Sequence, residues 1–281
     1  MHASGNCSNP IDDRRFAVTS TVFITGASRG IGAACVRQFL AAGWNVYATA
    51  RNPEEIDAIS DGRLATGRLD VRDDASIQAA ADDALARFGA IDVLINNAGI
   101  GLGGPVEALT RAELQALLDV NVVGAALMAK AVLPGMREKQ SGMIINMGSL
   151  AGVIGLPFLA PYCASKFALA GLSDAMQYEL ASYGIRVKLI ELTGSRTQFR
   201  QPLLHHTAYS SRIETVGTRL RSGLSSASPP DVIAKEIVRI AGSRSGRIHY
   251  MLGAGKWTFR VMNALPDRIF RSILSRAFGL Q

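Results

Sequence analysis

Cysteine is scarce in this chain, and its positions exclude two common kinds of structural support. Only three cysteines occur among 281 residues, Cys7, Cys35 and Cys163, and no two are spaced as zinc ligands or as part of a disulfide framework. We therefore expect no metal site, and a reducing, cytoplasmic environment. Residues 1–19 lack the apolar segment of a signal peptide and are predicted to form a flexible leader.

The chain also lacks long hydrophobic runs and dense basic runs. No stretch of 18 consecutive apolar residues occurs, so a membrane-spanning helix is not expected. The net charge is +7, but lysine and arginine are scattered along the chain, which disfavours nucleic acid as a partner. Hydrophobic residues make up 48% of the chain, enough to fill the core of a large α/β domain. A basic enzyme that binds small anionic ligands fits these numbers.

Short apolar runs alternate with longer segments of helical spacing. Six runs are predicted as buried strands, with a seventh candidate last: residues 21–25, 46–49, 64–69, 91–95, 143–147, 185–191 and 248–252. Helices are predicted over residues 31–42, 74–88, 110–136 and 162–183. Near-continuous apolar strands that alternate with helices indicate an α/β fold with a parallel sheet covered on both faces. Ligands of such sheets bind at the carboxyl ends of the strands.

A glycine-rich turn follows the first predicted strand and opens a helix. It runs from Thr25 to Gly32 with the sequence TGASRGIG. Glycines permit a tight bend and close approach of the backbone to a pyrophosphate, and the N-terminus of the helix supplies free N–H groups. The turn therefore predicts a dinucleotide site, with an ordinary structural turn as the alternative.

Residues after the second and third strands indicate which dinucleotide binds. Ala50 stands where NAD-binding turns carry an acidic residue for the ribose hydroxyls, and Arg51 follows it. Arg51, together with Arg29, would bind the 2′-phosphate of NADP(H), unless both are solvated surface charges. Asp70 ends the third strand, where its carboxylate either accepts a hydrogen bond from adenine or caps a turn.

Tyr162 and Lys166 form the strongest chemical signal in the chain. They lie four residues apart on a predicted helix, so they share a face, and the ammonium is expected to lower the pKa of the phenol toward the range for proton transfer. Ser149 follows the fifth strand and is a candidate donor to a substrate oxygen. Asn121 lies inside a helical segment, where asparagine is disfavoured, which indicates a local role.

Taken in order, TGxxxGxG, NNAG, Asn121, Ser149 and YxxxK resemble the short-chain dehydrogenase/reductase family in its compact single-domain form. Within the family, the chain resembles NADP-dependent members of the hydroxysteroid dehydrogenase and carbonyl reductase type. The resemblance implies a doubly wound, Rossmann-like α/β fold, with helices on both faces of a seven-stranded parallel sheet. It also implies a homodimer or homotetramer built through residues 110–136 and 162–183.

The same resemblance implies a role for each site residue. Tyr162 is the general acid or base, Lys166 holds the nicotinamide ribose and lowers the pKa of the tyrosine, and Ser149 positions the substrate carbonyl. Asn121 supports a water through which protons exchange with solvent. The residues implied for the cofactor are Gly26, Ser28, Arg29, Gly30, Ile31, Arg51, Asp70, Val71, Asn97, Ala98, Gly99, Val120, Tyr162, Lys166 and Thr197.

The loop after the sixth strand departs from the family pattern. The family has Pro-Gly there and, a few residues on, a threonine that contacts the nicotinamide amide. In an ungapped alignment Leu192 and Thr193 replace Pro-Gly; alternatively Gly194 is the family glycine and one residue is missing. Thr197 is expected to keep the role of the family threonine.

The C-terminal third is less patterned. Residues 20–255 are predicted as one catalytic domain, in which the polar segment 198–228 forms a substrate loop and a mobile lid. Residues 256–281 form an amphipathic extension, predicted to pack on its own domain, to form a dimer contact or to rest on an anionic membrane. Its apolar half consists of Ile269, Phe270, Ile273, Leu274, Ala277 and Phe278.

The leading hypothesis is an oxidoreductase that transfers a hydride between NADP(H) and the carbonyl or secondary-alcohol carbon of a small substrate. Apolar residues 150–160, with others near Leu102 and Leu203, suggest a hydrophobic pocket for that substrate. Two alternatives belong to other classes. One is a catalytically silent dinucleotide-binding regulator or structural subunit on the same fold, and the other is an enzyme such as a sugar epimerase that uses the nicotinamide transiently.

Overall fold

The predicted strands all lie in one sheet of a computed structural model that describes residues 19–199, 201–225, 227–256 and 265–280. The sheet has seven strands in the order β3-β2-β1-β4-β5-β6-β7, and all neighbouring pairs are parallel. The strands are β1 (Thr21–Ile24), β2 (Asn45–Ala50), β3 (Leu64–Arg68), β4 (Val93–Asn96), β5 (Gly142–Met147), β6 (Ile185–Leu192) and β7 (His249–Leu252). The predicted leader, apart from its last residue, lies outside the described residues.

Helices cover both faces of the sheet, which confirms the predicted fold class. Successive strand residues point to opposite faces, so Val22 and Ile24 pack in one apolar cluster and Phe23 in the other. The first cluster also contains residues of α1 (Gly30–Ala41) and α7 (Pro230–Ala241), and the second contains residues of α2 (Asp74–Phe88), α4 (Gly124–Glu138) and α5 (Ala160–Leu180). The other helices with described bounds are α3 (Arg111–Leu118), α6 (Ser210–Ser225) and α8 (Asp267–Ala277).

The segment predicted as one helix over residues 110–136 is divided. Its start is as predicted, because Thr110 and Glu113 form a reciprocal capping box before α3. Between α3 and α4 the structure has a π-helical turn, Asp119–Val123, which contains Asn121. Such turns insert one extra residue into a helix and are frequent at functional sites. The disfavoured asparagine therefore marks a real local distortion.

The segment predicted as a mobile loop over 198–228 is largely helical, so that prediction was wrong in its secondary structure. It contains a 3₁₀ turn, Thr207–Tyr209, and the helix α6. Only a few apolar residues of α6, such as Ile213 and Val216, are buried. Because tertiary packing supplies most of the stability of such a helix, its own sequence pattern is weak. Helix α7, which carries Ile233 and Ile237 into the core, was also not predicted.

The described part of the C-terminal extension packs on its own domain, which was one of the three arrangements predicted for it. Leu274 of α8 is buried, and the turn after α8 lies against α6, since a methyl group added at Gly279 would be 2.9 Å from Thr215 Cγ2. The predicted apolar half is nevertheless divided between core and solvent. Ile269 and Ile273 remain 49% and 38% exposed.

One helical stretch among the described residues, Arg111–Glu138, is long and apolar enough to cross a membrane by length and composition alone. The sequence was not expected to contain such a segment. In its most apolar window 39% of the residues are buried inside the protein, where α4 covers one face of the sheet. The core helix of a globular domain has the same properties.

Candidate active site

The glycine-rich turn brings backbone very close to backbone. Gly26 and Gly30 have φ angles of +65° and +60°, a region that favours glycine. A Cβ atom added at Gly32 would lie 2.3 Å from the carbonyl oxygen of Gly26, so no larger residue fits without a shift of the turn. Because the first N–H groups of an α-helix have no partner within the helix, the start of α1 suits an anionic ligand.

The start of α1 carries the other residues predicted for the cofactor phosphates. Arg29 is its N-cap, and its exposed side chain makes no capping hydrogen bond. Ser28 is partly exposed in the turn, whereas the Ile31 side chain is buried in the core. Any contact of Ile31 with a cofactor must therefore be made by its backbone. An N-terminus without a side-chain cap, next to an arginine, suits a phosphate.

The NNAG segment joins the ends of β1 and β4. Thr25 Oγ1 accepts hydrogen bonds from the backbone N–H groups of Asn97 and Ala98, both at 2.9 Å. Asn97 Nδ2 donates to the carbonyl oxygens of Thr25 and Gly26, also at 2.9 Å. Asn97 thus positions the glycine-rich turn. Gly99 borders the catalytic side chains, since a Cβ atom there would be 3.2 Å from Asn121 Oδ1.

Thr197 lies over the glycine-rich turn, and its contact with the nicotinamide amide stays a prediction. A methyl group added at Gly30 would come within 3.3 Å of Thr197 Cβ. Within the altered loop, Thr193 N donates to the carbonyl of Leu252, and Gly194 has a positive φ of +154°. Thr193 thus continues the pairing of β6 with β7, and Gly194 supplies the glycine conformation. This arrangement favours the alignment in which Gly194 is the family glycine.

The residues that follow β2 and β3 gather charge at the same edge of the sheet. Arg51 is exposed directly after the buried Ala50. The carboxylate of Asp70 forms an ion pair with Arg72 at 2.6 Å and accepts a hydrogen bond from the Arg72 backbone, so the structure contains the turn-capping alternative. Hydrogen bonding from Arg72, with a smaller contribution from the charge of Arg51, lowers the pKa of Asp70 to about 2.

Val71 and Val120 lie next to this edge. The Val71 side chain is buried against the start of α4, where a Cβ atom added at Gly124 would approach it within 2.8 Å. Val120 is partly buried in the π-helical turn, one residue before Asn121. Both side chains pack against the rest of the protein, so we expect their backbone atoms, not their side chains, to face the cofactor.

Ser149, Tyr162 and Lys166 converge at the carboxyl end of β5. Lys166 Nζ donates to the carbonyl oxygen of Met147, the last residue of β5, at 2.8 Å, and lies 5.8 Å from the centre of the Tyr162 ring. The Ser149 side chain is within hydrogen-bonding reach of the Tyr162 phenol. It also accepts a hydrogen bond from the backbone N–H of Ala151. The structure therefore brings together the three side chains that the sequence predicted would act on a substrate.

The pKa of the phenol differs from the prediction. Burial raises the pKa of Tyr162 to about 12, and the hydrogen bond from Ser149 opposes that shift. The expected lowering by the lysine charge is absent. The amine of Lys166 donates instead to the Met147 carbonyl, and burial lowers the pKa of Lys166 to about 8. The phenol therefore holds its proton at neutral pH, as a proton donor requires.

Asn121 is buried and fixes the loop after β4. Its Oδ1 accepts from the backbone N–H of Ile100, and its Nδ2 donates to the carbonyl oxygen of the same residue, both at 2.9 Å. Nδ2 also contacts Ser165 Oγ at 3.1 Å, and Ser165 in turn donates to the carbonyl of Tyr162. The π-helical turn thus connects Asn121 to the helix that carries Tyr162 and Lys166.

Comparison with known proteins agrees with this site. The family model of the short chain dehydrogenases matches residues 20–208, more than half of the chain. The chain belongs to the short-chain dehydrogenase family. Human 17-beta-hydroxysteroid dehydrogenase type 1 is 40% identical over 197 residues, which are 66% of this chain and 60% of that protein. The family membership that the motifs indicated is therefore confirmed.

Solved structures of short-chain dehydrogenases share the fold along most of the chain. A short-chain dehydrogenase from Streptomyces avermitilis has a TM-score of 0.81 and 32% identity, over 92% of this chain and 96% of that one. A metagenomic short-chain oxidoreductase in complex with NADP has a TM-score of 0.66 and 30% identity, over 83% and 96%. As a member of this family, the chain is an oxidoreductase, and its metagenomic relative was solved with NADP bound.

An apolar wall stands beside the tyrosine of this short-chain dehydrogenase. Tyr162 packs in a cluster of buried side chains to which four partly buried leucines add: Leu102, Leu156, Leu203 and Leu220. Phe199 lies 6.0 Å from the Tyr162 ring and is 41% exposed. Backbone hydrogen bonds between Gly103 and the 202–204 segment hold the loops after β4 and β6 together. The wall confirms the predicted grouping of Leu102 and Leu203 near the site.

The sequence motifs did not identify the buried polar residues that hydrogen-bond to each other beneath the short-chain dehydrogenase site, within the sheet and α5. Asn96 Nδ2 donates to Asn146 Oδ1 at 2.9 Å, and Asn146 Nδ2 donates to Ser173 Oγ at 2.9 Å, all three being buried. Thr25 and Ser165 were missed in the same way. Polar residues within otherwise apolar strands were a signal that could have identified Asn96 and Asn146, because buried polar groups require partners.

Proposed function

We propose that this short-chain dehydrogenase reduces apolar ketones or aldehydes with NADPH. The observation that carries the proposal is the convergence of Ser149, Tyr162 and Lys166 at the strand ends, between the glycine-rich turn and an apolar wall. A cofactor on the turn and a substrate against the wall would meet at the phenol. A tyrosine with only a packing role would not need a serine and a lysine beside it at the strand ends.

The reaction uses the chain's own groups for proton transfer and orientation. NADPH, when bound, supplies the hydride that reduces the carbonyl carbon. Ser149 and Tyr162 hold the carbonyl oxygen, and Tyr162 Oη donates its proton as that oxygen gains charge. Lys166 would hold the nicotinamide ribose, the role that the family resemblance implies, and the phenol regains its proton from solvent. Because carbonyl reduction consumes one proton from solvent, alkaline pH should favour alcohol oxidation over carbonyl reduction.

The preference for NADP(H) rests on charge at the end of β2. Ala50 replaces the acidic residue that would accept from the ribose hydroxyls of NAD(H), and the exposed guanidinium of Arg51 follows it. A 2′-phosphate would gain charge-assisted hydrogen bonds from Arg51 and Arg29. The metagenomic relative that was solved with NADP supports the same choice.

The apolar wall favours a substrate with little polarity. Leu102, Leu156 and Leu203 offer no hydrogen-bonding group, so the contacts beyond the reactive carbonyl are hydrophobic. The name of the human relative, a hydroxysteroid dehydrogenase, fits a substrate of this class.

The surface of the two long helices supports a homo-oligomer. Val123, at the end of the π-helical turn before α4, is 44% exposed, and Phe167 and Tyr178 of α5 are 46% and 82% exposed. We propose that a second copy covers part of this surface, since large apolar side chains that are exposed on a single copy are commonly buried at interfaces. A cytoplasmic location stays a prediction, and the two free, buried thiols, Cys35 and Cys163, are compatible with it.

The proposal is tested by steady-state oxidation of NADPH and NADH with a panel of apolar ketones and aldehydes. The wild-type protein should turn over with a higher kcat/KM for NADPH. Arg51→Gln should lower kcat/KM for NADPH by about 10- to 100-fold, the worth of one charge-assisted hydrogen bond, and leave NADH turnover unchanged. Arg111→Gln, at the exposed start of α3, is the matched control. Equal loss in both variants, or a wild-type preference for NADH, would refute the NADP(H) assignment.

A further inference from the structure

The turn after α8 lies against α6, where a methyl group added at Gly279 would be 2.9 Å from Thr215 Cγ2, and we call the exposed residues of these two helices the α6–α8 surface. Six of its arginines are exposed: Arg212, Arg219, Arg221, Arg268, Arg271 and Arg276. Beside Arg268 and Arg276, α8 presents Ile269 and Ile273, which are four residues apart and 49% and 38% exposed. Apolar side chains flanked by arginines on a helix at the protein surface are the pattern of helices that bind the membrane interface.

The charge of the whole protein is concentrated in the segment that contains this surface. Residues 201–281 contain twelve basic and four acidic residues, a net charge of +8. Residues 1–200 contain eighteen basic and nineteen acidic residues, a net charge of −1. The net charge of +7 is therefore a property of the C-terminal third. A patch of one sign attracts a surface of the opposite sign over distances of about 10 Å at moderate salt.

The α6–α8 surface lies next to the apolar wall of the active site. A cleft of about 600 Å³ separates α8 from the loop Val153–Pro157, with Phe167 and Phe270 among its lining residues. Leu156, in that loop, lines the cleft and also belongs to the apolar cluster around Tyr162. A bilayer on the α6–α8 surface would therefore be adjacent to the site at which an apolar substrate is expected to bind.

We propose that the α6–α8 surface docks on an anionic phospholipid bilayer. Ile269 and Ile273 enter the boundary between headgroups and acyl chains, and the exposed arginines contact the lipid phosphates. A second copy of this chain is a less suitable occupant, because two surfaces of the same strongly positive charge repel each other. Neither the cofactor nor turnover is needed for this docking, so its test is independent of the proposed reaction.

The experiment is sedimentation of the full chain with vesicles of phosphatidylcholine alone and with vesicles that contain about one third phosphatidylserine. The wild type should bind only the second kind. Arg268→Gln with Arg276→Gln should weaken that binding by about fivefold per arginine, and Ile269→Gln with Ile273→Gln by at least about tenfold. The matched controls are Arg111→Gln with Arg137→Gln, and Val106→Gln with Val232→Gln, which change exposed residues on other elements.

Circular dichroism and NADPH binding show whether each variant is folded, and the arginine pair tests the proposal independently if the isoleucine pair unfolds. Selective binding to the anionic vesicles that is lost in the α8 variants and kept in the controls supports the proposal. It is overturned if the wild type binds neither kind of vesicle or both equally, or if the controls lose as much. A smaller oligomer for the isoleucine pair in light scattering, without wild-type vesicle binding, would show instead that a second copy covers the surface.

Discussion

Gly32→Ala is the substitution that most directly tests the close packing of the glycine-rich turn. The new Cβ atom would lie 2.3 Å from the carbonyl oxygen of Gly26, 2.6 Å from Asn97 Nδ2 and 3.0 Å from Ala27 Cα. Favourable contacts between non-bonded heavy atoms begin near 3.5 Å, so the turn must move by about 1 Å. That shift separates Asn97 from the two carbonyl oxygens to which it donates.

The expected cost follows from three opposing contributions. Overpacking costs about 1–3 kcal/mol, and the loss of two hydrogen bonds costs about 1 kcal/mol each. Replacement of glycine by alanine in a helix returns up to about 1 kcal/mol. The free energy of unfolding should therefore fall by about 2–4 kcal/mol, and Tm by about 5–15 °C for a domain of this size. The shifted turn should also weaken NADPH binding by at least about tenfold, because its backbone would no longer fit a pyrophosphate.

Thermal unfolding and titration of NADPH against protein fluorescence measure both effects. Gly171→Ala is the matched control, because Gly171 lies inside α5 and a Cβ atom there meets nothing within 4 Å. The control should be more stable than the wild type by about 0.5–1 kcal/mol and should bind NADPH unchanged. A Gly32→Ala protein with wild-type Tm and wild-type affinity would refute the reasoning.

Two further predictions concern buried polar groups. Lys166→Met should abolish reduction but raise the free energy of unfolding near pH 7 by about 1–2 kcal/mol. This net value is the gain from removing a buried ammonium less the cost of leaving the Met147 carbonyl without its hydrogen bond. The pKa of Lys166 in the folded protein is about 8, below its ordinary value of 10.5, so the free energy of unfolding of the wild type rises as the pH rises between these values. Urea unfolding should therefore show that the extra stability of Lys166→Met becomes smaller over this pH range. A difference in stability that stays constant with pH would contradict this. Asn121→Ala should cost about 1–3 kcal/mol and lower kcat, because both backbone groups of Ile100 lose their partner. Asp119→Ala, in the same π-helical turn, is the control, and equal losses would show that Asn121 has no special role.

The central sheet was predictable because buried parallel strands have a recognisable pattern of consecutive apolar residues. Runs such as residues 143–145 are apolar without alternation, since both faces of the strand are covered. Helix α6 has no such clear apolar pattern. Its residues are mostly polar, and only a few apolar side chains, such as Ile213 and Val216, are buried by tertiary packing.

The identity of the site was more predictable than its electrostatics. The order of the motifs was enough to select Ser149, Tyr162 and Lys166, and the structure brings all three together. The pKa of Tyr162 was not predictable from spacing, because it depends on burial, and the predicted lysine effect ignored the cost of burying the ammonium itself. Phe199 was not predicted either, because only tertiary structure brings it beside Tyr162.

The central claim is that Tyr162 is the proton donor in an NADPH-linked reduction. The most direct measurement is oxidation of NADPH by the wild type, Tyr162→Phe and Tyr178→Phe with the best apolar ketone of the panel, together with NADPH binding to each. Tyr178 lies on the same helix and is 82% exposed, and its phenylalanine variant keeps the ring that a second copy would cover, so this variant should keep full activity. The account predicts that Tyr162→Phe still binds NADPH but loses at least about 100-fold in kcat. A Tyr162→Phe protein that keeps wild-type kcat would contradict it.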